Sequence, residues 1–178
     1  MKRFLIIGLG LVFLASCNPQ KTEQESTDQT EQNGDGINRM SDYAYTDSLM
    51  QGSHKVVFTI TRHADEELPE VVDEDGVKYK DNRFNLLIVK DGKTLFERSL
   101  TKADFNSKLP EDFQKYGIID GLRFNHAEEG KLYFNACVSF PESDMICPFL
   151  LTIGPDGSYT ITHDANFGEE EDDEFPSI

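Results

Sequence analysis

The stretch "RFNLLIVKDGKTLFERSL", Arg83 to Leu100, decides the fold. Two β-rich runs meet at Asp91-Gly92, and an Asp-Gly pair between such runs is a strong short-range signal for a β-hairpin. Upstream, "HKVVFTITRH" alternates: Val56, Phe58 and Ile60 share one face, and Val57, Thr59 and Thr61 the other. Between these runs lies Asp65 to Asp81, acidic and broken by Pro69, which reads as a loop with a short edge strand. Asp81 and Asn82 read as part of the same turn region.

Downstream, Thr101 to Asp104 has the form of a capping box, with Asp a weaker partner than Glu. Phe105 and Leu109 share a helical face that can pack on a sheet. "PEDFQKYG" reads as a second short helix, with Pro110 in its first turn, Phe113 and Tyr116 facing inward and Gly117 closing it. "IIDGLRFNHAEEGKLYFNACVSF", Ile118 to Phe140, gives two strands turning around Glu129-Gly130, with Leu132, Phe134, Ala136, Val138 and Phe140 alternating well. "ICPFLLTIGPDGSYTITHD", Ile146 to Asp164, gives the last pair, turning at Asp156-Gly157. Pro148 places the start of its strand, or an edge, nearby.

About seven strands follow one another in mostly local antiparallel order. Several, such as "NLLIVK" and "CPFLLTI", are apolar on both faces and need cover on each side. The expected fold is mainly β: an antiparallel β-sandwich, a curved sheet or a partly open barrel, with one or two short helices. A two-layer α+β domain is the alternative. No glycine-rich strand-to-helix crossover is present, which argues against a doubly wound nucleotide fold.

The N-terminus is of another kind. Lys2 and Arg3 precede an apolar segment, Phe4 to Leu14, of signal-peptide length and too short to span a bilayer. Leu14-Ala15-Ser16-Cys17 follows directly and resembles the lipobox of bacterial lipoproteins, in which cleavage before the cysteine is coupled to lipid on its sulfur. The resemblance implies acylation of Cys17 and a partner in the lipid bilayer. Stable anchoring takes more than one acyl chain. The expected organisation is a signal peptide over 1–16, a flexible tether over 17–50, a β-rich domain over 51–164 and an acidic disordered tail over 165–178. The tether is too polar to offset the entropy of ordering it. Within it, "SDYAYTDSLM", Ser41 to Met50, reads either as more tether or as a lead-in that docks on the domain.

The formal net charge is −16, and loss of Lys2 and Arg3 makes the mature chain more acidic still. That argues against nucleic acid, which is gripped through Lys and Arg, and against an electrostatic hold on anionic lipid. Of three cysteines, Cys137 and Cys147 remain after Cys17. In an exported protein the pair reads either as a disulfide or as two small buried thiols. Alternation puts Cys137 with Tyr133, Asn135 and Ser139, and Cys147 with Phe149, Leu151 and Ile153, so a bond would need a bulge or another register.

Motifs for chemistry are absent. "DEDG", Asp73 to Gly76, lacks calcium-loop spacing. His54, His63, His126 and His163 are scattered, with no H-E-x-x-H and no G-x-S-x-G nucleophile elbow. No catalytic, cofactor or metal residue is singled out. Tyr79, Tyr133 and Tyr159 read as rim packing, with a ligand surface as the alternative.

The lipobox together with the chain from Phe58 to Ile161 resembles a family of Bacteroides-type lipoproteins carrying a domain of unknown function of the DUF4738 type. The resemblance rests on Leu68-Pro69, Tyr79 with Asp81-Asn82, Thr101-Lys102 with Phe105, and Pro141 with Asp144. It implies export and lipidation, and it carries over no activity. Members often sit on the outer membrane; acids here begin only at Glu23, so the resemblance leaves the membrane face open. The functional expectation is a cell-envelope lipoprotein that binds a small ligand or an envelope protein without catalysis and without a cofactor. A structural envelope component and a metal-assisted hydrolase are the alternatives.

Overall fold

The structure is a computed structural model that describes residues 30–32, 34–165 and 167. The signal segment, Cys17, the first part of the tether and nearly all of the acidic tail lie outside the described residues. Among the described residues, twelve strands and one α-helix run in the order β1 (Thr30–Gln32), β2 (Ile37–Met40), β3 (Tyr43–Gln51), β4 (His54–Ala64), β5 (Glu70–Val72), β6 (Lys78–Lys80), β7 (Asn82–Lys90), β8 (Lys93–Leu100), α1 (Glu111–Tyr116), β9 (Ile118–Glu128), β10 (Lys131–Ser139), β11 (Ile146–Ile153) and β12 (Tyr159–His163).

Two antiparallel sheets, β3-β4-β7-β8 and β12-β11-β10-β9, face each other across one core and do not close into a barrel. The fold is a β-sandwich, and period-two alternation builds it. Val56, Phe58 and Ile60 on β4 and Phe84, Leu86 and Ile88 on β7 point inward against Leu132, Phe134, Ala136 and Val138 on β10 and Phe149, Leu151 and Ile153 on β11. At the centre the Phe134 ring stands edge-on to Phe58 and Phe124, with centroids at 5.6 and 5.5 Å. The Asp91-Gly92 turn joins β7 to β8 with both residues at positive φ, 49° and 77°, as the two-residue hairpin turn requires.

The stretch expected as tether, 17–50, contributes β1, β2 and all but the last residue of β3. Tyr43, Tyr45 and Leu49 fall on alternate positions and pack against the core, so β3 adds an edge strand beside β4. Of the two readings of Ser41 to Met50, docking on the domain is the one the structure takes. The acidic loop before β7 is more ordered than its composition suggested. β5 and β6 join β1 and β2 in a third sheet, β1-β2-β6-β5, with its own small core of Val71, Tyr79 and Ile118 beside Met40. Its β2–β6 pair is parallel, through Ile37↔Lys78 and Asn38↔Tyr79.

Between β8 and β9 the first expected helix is two 3₁₀ turns, Lys102–Asp104 and Asn106–Lys108. The Asp104 carboxylate accepts the Thr101 backbone N–H at 2.9 Å, as the capping pattern implied. Phe105 is fully buried, its ring 4.9 Å from Phe149. Phe113 and Tyr116 of α1 pack on Phe140. Gly117 follows α1, at φ −80°, so no left-handed cap calls for it. Space does: a Cβ there would lie 2.6 Å from the Phe113 carbonyl oxygen and 2.8 Å from Val138 Cγ1. Gly117→Ala is expected to lower stability by roughly 1–3 kcal/mol, the usual range for overpacking. Denaturant melts check this, and an unchanged midpoint would mean that α1 can back away from β10 at no cost.

Pro148 lies within β11, opposite Cys137. Its carbonyl accepts the Asp164 N–H at 3.1 Å, just past the end of β12, so its missing N–H faces a position where that pairing has stopped.

Candidate functional site

Asn82 shares parity with Phe84, Leu86 and Ile88, so the inward face of β7 begins on an amide. Asp81 and Asn82, expected in an exposed turn, are 5% and 0% exposed. The correction follows from pairing: β7 starts at Asn82, opposite Ala64, and drags the preceding turn under the sandwich. Asp81 Oδ1 accepts the backbone N–H of Asn82 at 2.8 Å and of Ile119 at 2.9 Å. Asn82 Nδ2 donates to the Ile119 carbonyl at 2.7 Å and touches Met40 Sδ at 3.2 Å, while its Oδ1 has no hydrogen-bond partner. Lys102 reaches in from the 3₁₀ segment, donates to the Gly117 carbonyl at 2.6 Å and stands 4.0 Å from Asp81 Oδ2. Burial pushes the Asp81 carboxyl up from its ordinary value, against the pull of Lys102, and pushes the Lys102 amine down. This buried polar layer ties β7, β9 and the 3₁₀ segment together.

A cleft of about 250 Å³ opens above it, where the small sheet meets the end of the sandwich. Its walls come from four separated stretches: Asn38 and Met40 on β2, Tyr79 and Lys80 on β6, Ile118 and Asp120 on β9, and Ser139 with the turn Phe140 to Ser143. Asn38, Tyr79, Lys80 and Ser139 are each at least nine-tenths buried. Burying such groups is costly unless they are hydrogen-bonded. Lys80 Nζ donates to the carbonyls of Glu66 and Leu68, both at 3.3 Å, and pairs with the Glu66 carboxylate at 3.6 Å. Glu66 is also held by Arg39 Nε at 2.7 Å, so β2, β6 and the loop between them are braced. Burial raises the Tyr79 phenol, and the carboxylates of Glu142 and Asp73 push it the same way. Ser139 Oγ donates to Asp120 Oδ2.

Asp120 borders a second, wider cleft of about 500 Å³ on the outer face of β9 and β10, lined by Arg123, Phe124, Asn135, Cys137, Ile146 and Phe167 among others. Cys137 Sγ donates to Asp120 Oδ1 at 3.0 Å and lies across Gly121, where a Cβ would come within 2.4 Å of the sulfur. One carboxylate thus bridges a wall of each cleft. A register shift between Cys137 and Val138 in the β9–β10 ladder lies beside it.

The thiols are not bonded to each other. Val138 pairs with Cys147 and Cys137 with Pro148, so the two cysteines stand on opposite faces, as the alternation indicated, and the ladder between β10 and β11 has no bulge to realign them. Cys147 is buried in the core, which pushes its thiol up. Sheet pairing brings it 4.0 Å from His163 Nδ1, a proximity that sequence distance concealed. The histidines do not converge. His54 pairs with Asp91 at 2.5 Å, His126 stacks on Tyr133, and His163 stacks on Phe149. Neither His126 nor His163 lines either of these two clefts. Among the described residues no three His, Cys, Asp or Glu side chains are placed to hold a metal ion. Of the tyrosines, Tyr79 lines the smaller cleft, and Tyr159 packs beneath Arg98.

Sequence reasoning missed Asn38, Lys80, Asp120 and Ser139. For Asn82 a signal existed: extending the β7 alternation by one step points it inward. Several of the residues that carried the family resemblance meet here: Tyr79 and Pro141 line the smaller cleft, and Asp81, Asn82 and Lys102 lie below it. No curated protein matches the chain. The family model described as "Domain of unknown function (DUF4738)" matches residues 21–161, a span that takes in β1, β2 and β3 as well as the sandwich, and the protein belongs to that family.

Proposed function

We propose that the protein is a lipid-anchored component of the bacterial cell envelope, held at the outer membrane through acylated Cys17, whose β domain binds a small ligand without transforming it. The observation that supports this most is the smaller cleft. Four stretches distant in sequence bring buried polar side chains to one concavity, which is how ligand sites are commonly built. Below it, the Asp81–Asn82–Lys102 layer holds the β9 wall in place. The Ser139 hydroxyl is held by Asp120 on its wall, but no histidine lines the cleft to relay a proton from that pair, and this favours binding over catalysis.

A fragment library screened by NMR against the full mature chain tests the binding half. Occupants are expected to shift the signals of Tyr79, Ser139 and Ser143, and a library that leaves all three unmoved overturns it. Anchoring is tested by Cys17→Ala. The variant is expected to leave the membrane fraction for the soluble one, and retention at wild-type level would count against lipidation.

A further inference from the structure

Lys80, Ser139 and Ser143, three of the donors lining the smaller cleft, already have acceptors within the protein. Lys80 gives its amine to the Glu66 carboxylate and to the carbonyls of Glu66 and Leu68. Ser139 Oγ donates to Asp120, and Ser143 Oγ donates to the Phe140 carbonyl at 3.2 Å. The buried Tyr79 phenol feels the carboxylates of Glu142 and Asp73. What the walls leave over is acceptor capacity. Asp120 accepts one hydrogen bond on each oxygen and keeps further lone pairs. Glu142, exposed on the β10–β11 turn, makes no hydrogen bond or ion pair among the described residues, and its charge reaches the Tyr79 hydroxyl. Between these acceptors, Met40, Ile118, Phe140 and Pro141 supply apolar wall.

A ligand suited to such walls brings donors, positive charge and a short apolar body. Resting on the binding reading above, we infer that the cleft takes a small organic cation, a primary ammonium on a short aliphatic chain. The ammonium lies between Asp120 and Glu142, and the chain packs on Met40, Phe140 and Pro141. A volume of about 250 Å³ is below the usual range for drug-sized ligands and suits a fragment. The donor set does not suit a bare metal ion, since no three ligating side chains converge among the described residues. The acidic chain as a whole draws cations toward it.

The test uses three probes of one size, n-butylammonium, n-butanol and butyrate, titrated by NMR into the full mature chain. Butylammonium is expected to bind best, to shift Tyr79 and Ser139, and to weaken as salt is raised. Glu142→Gln and Asp120→Asn are each expected to weaken it about tenfold, as for the loss of a charged hydrogen-bond partner, while butanol binding stays as it was. If Asp120→Asn fails to fold, Glu142→Gln on its exposed turn carries the comparison. Equal or better binding of butanol or butyrate, or butylammonium binding unchanged in Glu142→Gln, overturns the cation assignment and leaves the binding reading standing. If neither these probes nor any library fragment enters the cleft, both fall.

Discussion

Phe134→Ala costs the fold roughly 3–5 kcal/mol, the range for removing a large aromatic from a core. Phe134 has no solvent exposure and lies between the two sheets, its ring against Phe58 and Phe124. Both of those rings also touch each other, with centroids 4.8 Å apart, so the three form one closed cluster. The backbone around it is held by ladders on both sides of β10. The hole left by the ring therefore collapses little, and the cavity adds to the lost transfer energy. Urea melts read the loss directly. A change below about 1 kcal/mol would mean that the cluster repacks, and would put the core elsewhere.

The second large effect belongs to the buried pair. Asp81→Ala is expected to cost about 3–5 kcal/mol, because it leaves the Lys102 charge uncompensated and strips the N–H groups of Asn82 and Ile119 of their acceptor. Removing both charges, as Asp81→Asn with Lys102→Met, is expected to cost far less than the two single changes added together. The coupling is read from a double-mutant cycle. Additivity would show that the two groups do not sense each other.

The pair also has a pH signature. Burial raises the Asp81 carboxyl, so the folded state holds that proton more tightly than the unfolded chain does. Its stability contribution is full below the unfolded value of 3.8 and is lost as pH rises through the folded value. Lys102 is lowered, so stability rises as pH climbs from its folded value toward the unfolded 10.5. In the acid range the wild type should therefore lose ground to Asp81→Asn as pH rises. A difference that stays flat with pH would remove the burial argument.

The sandwich was legible in the sequence because period two is a local signal. Three hairpins announced themselves through alternation and a turn at Asp91-Gly92, Glu129-Gly130 or Asp156-Gly157, whereas the β3–β4 hairpin was hidden in the stretch read as tether; the parity of Cys137 and Cys147 foretold their opposite faces. The third sheet was not legible. Its strands are three or four residues long, too short for a period to show, and its β2–β6 pair joins residues about forty positions apart. Asn38, in the stretch read as tether, and Lys80, in the acidic loop, gave no signal for the same reason. Their burial depends on pairing partners that no window of the sequence contains. Asp120 and Ser139 meet only because β9 and β10 pair with a shift, which no pattern of residue types encodes.

The parallel pair between β2 and β6 has the fewest paired residues of the described strand pairs, two, and its sheet has a core of a few side chains. Sheets of this size open by local unfolding at a fraction of the global free energy. Asn38 and Tyr79 sit on opposite strands of that join, so the concavity they border is expected to open more readily than the sandwich. An occupant would slow amide exchange in β2 and β6 while leaving the sandwich strands at their own rates.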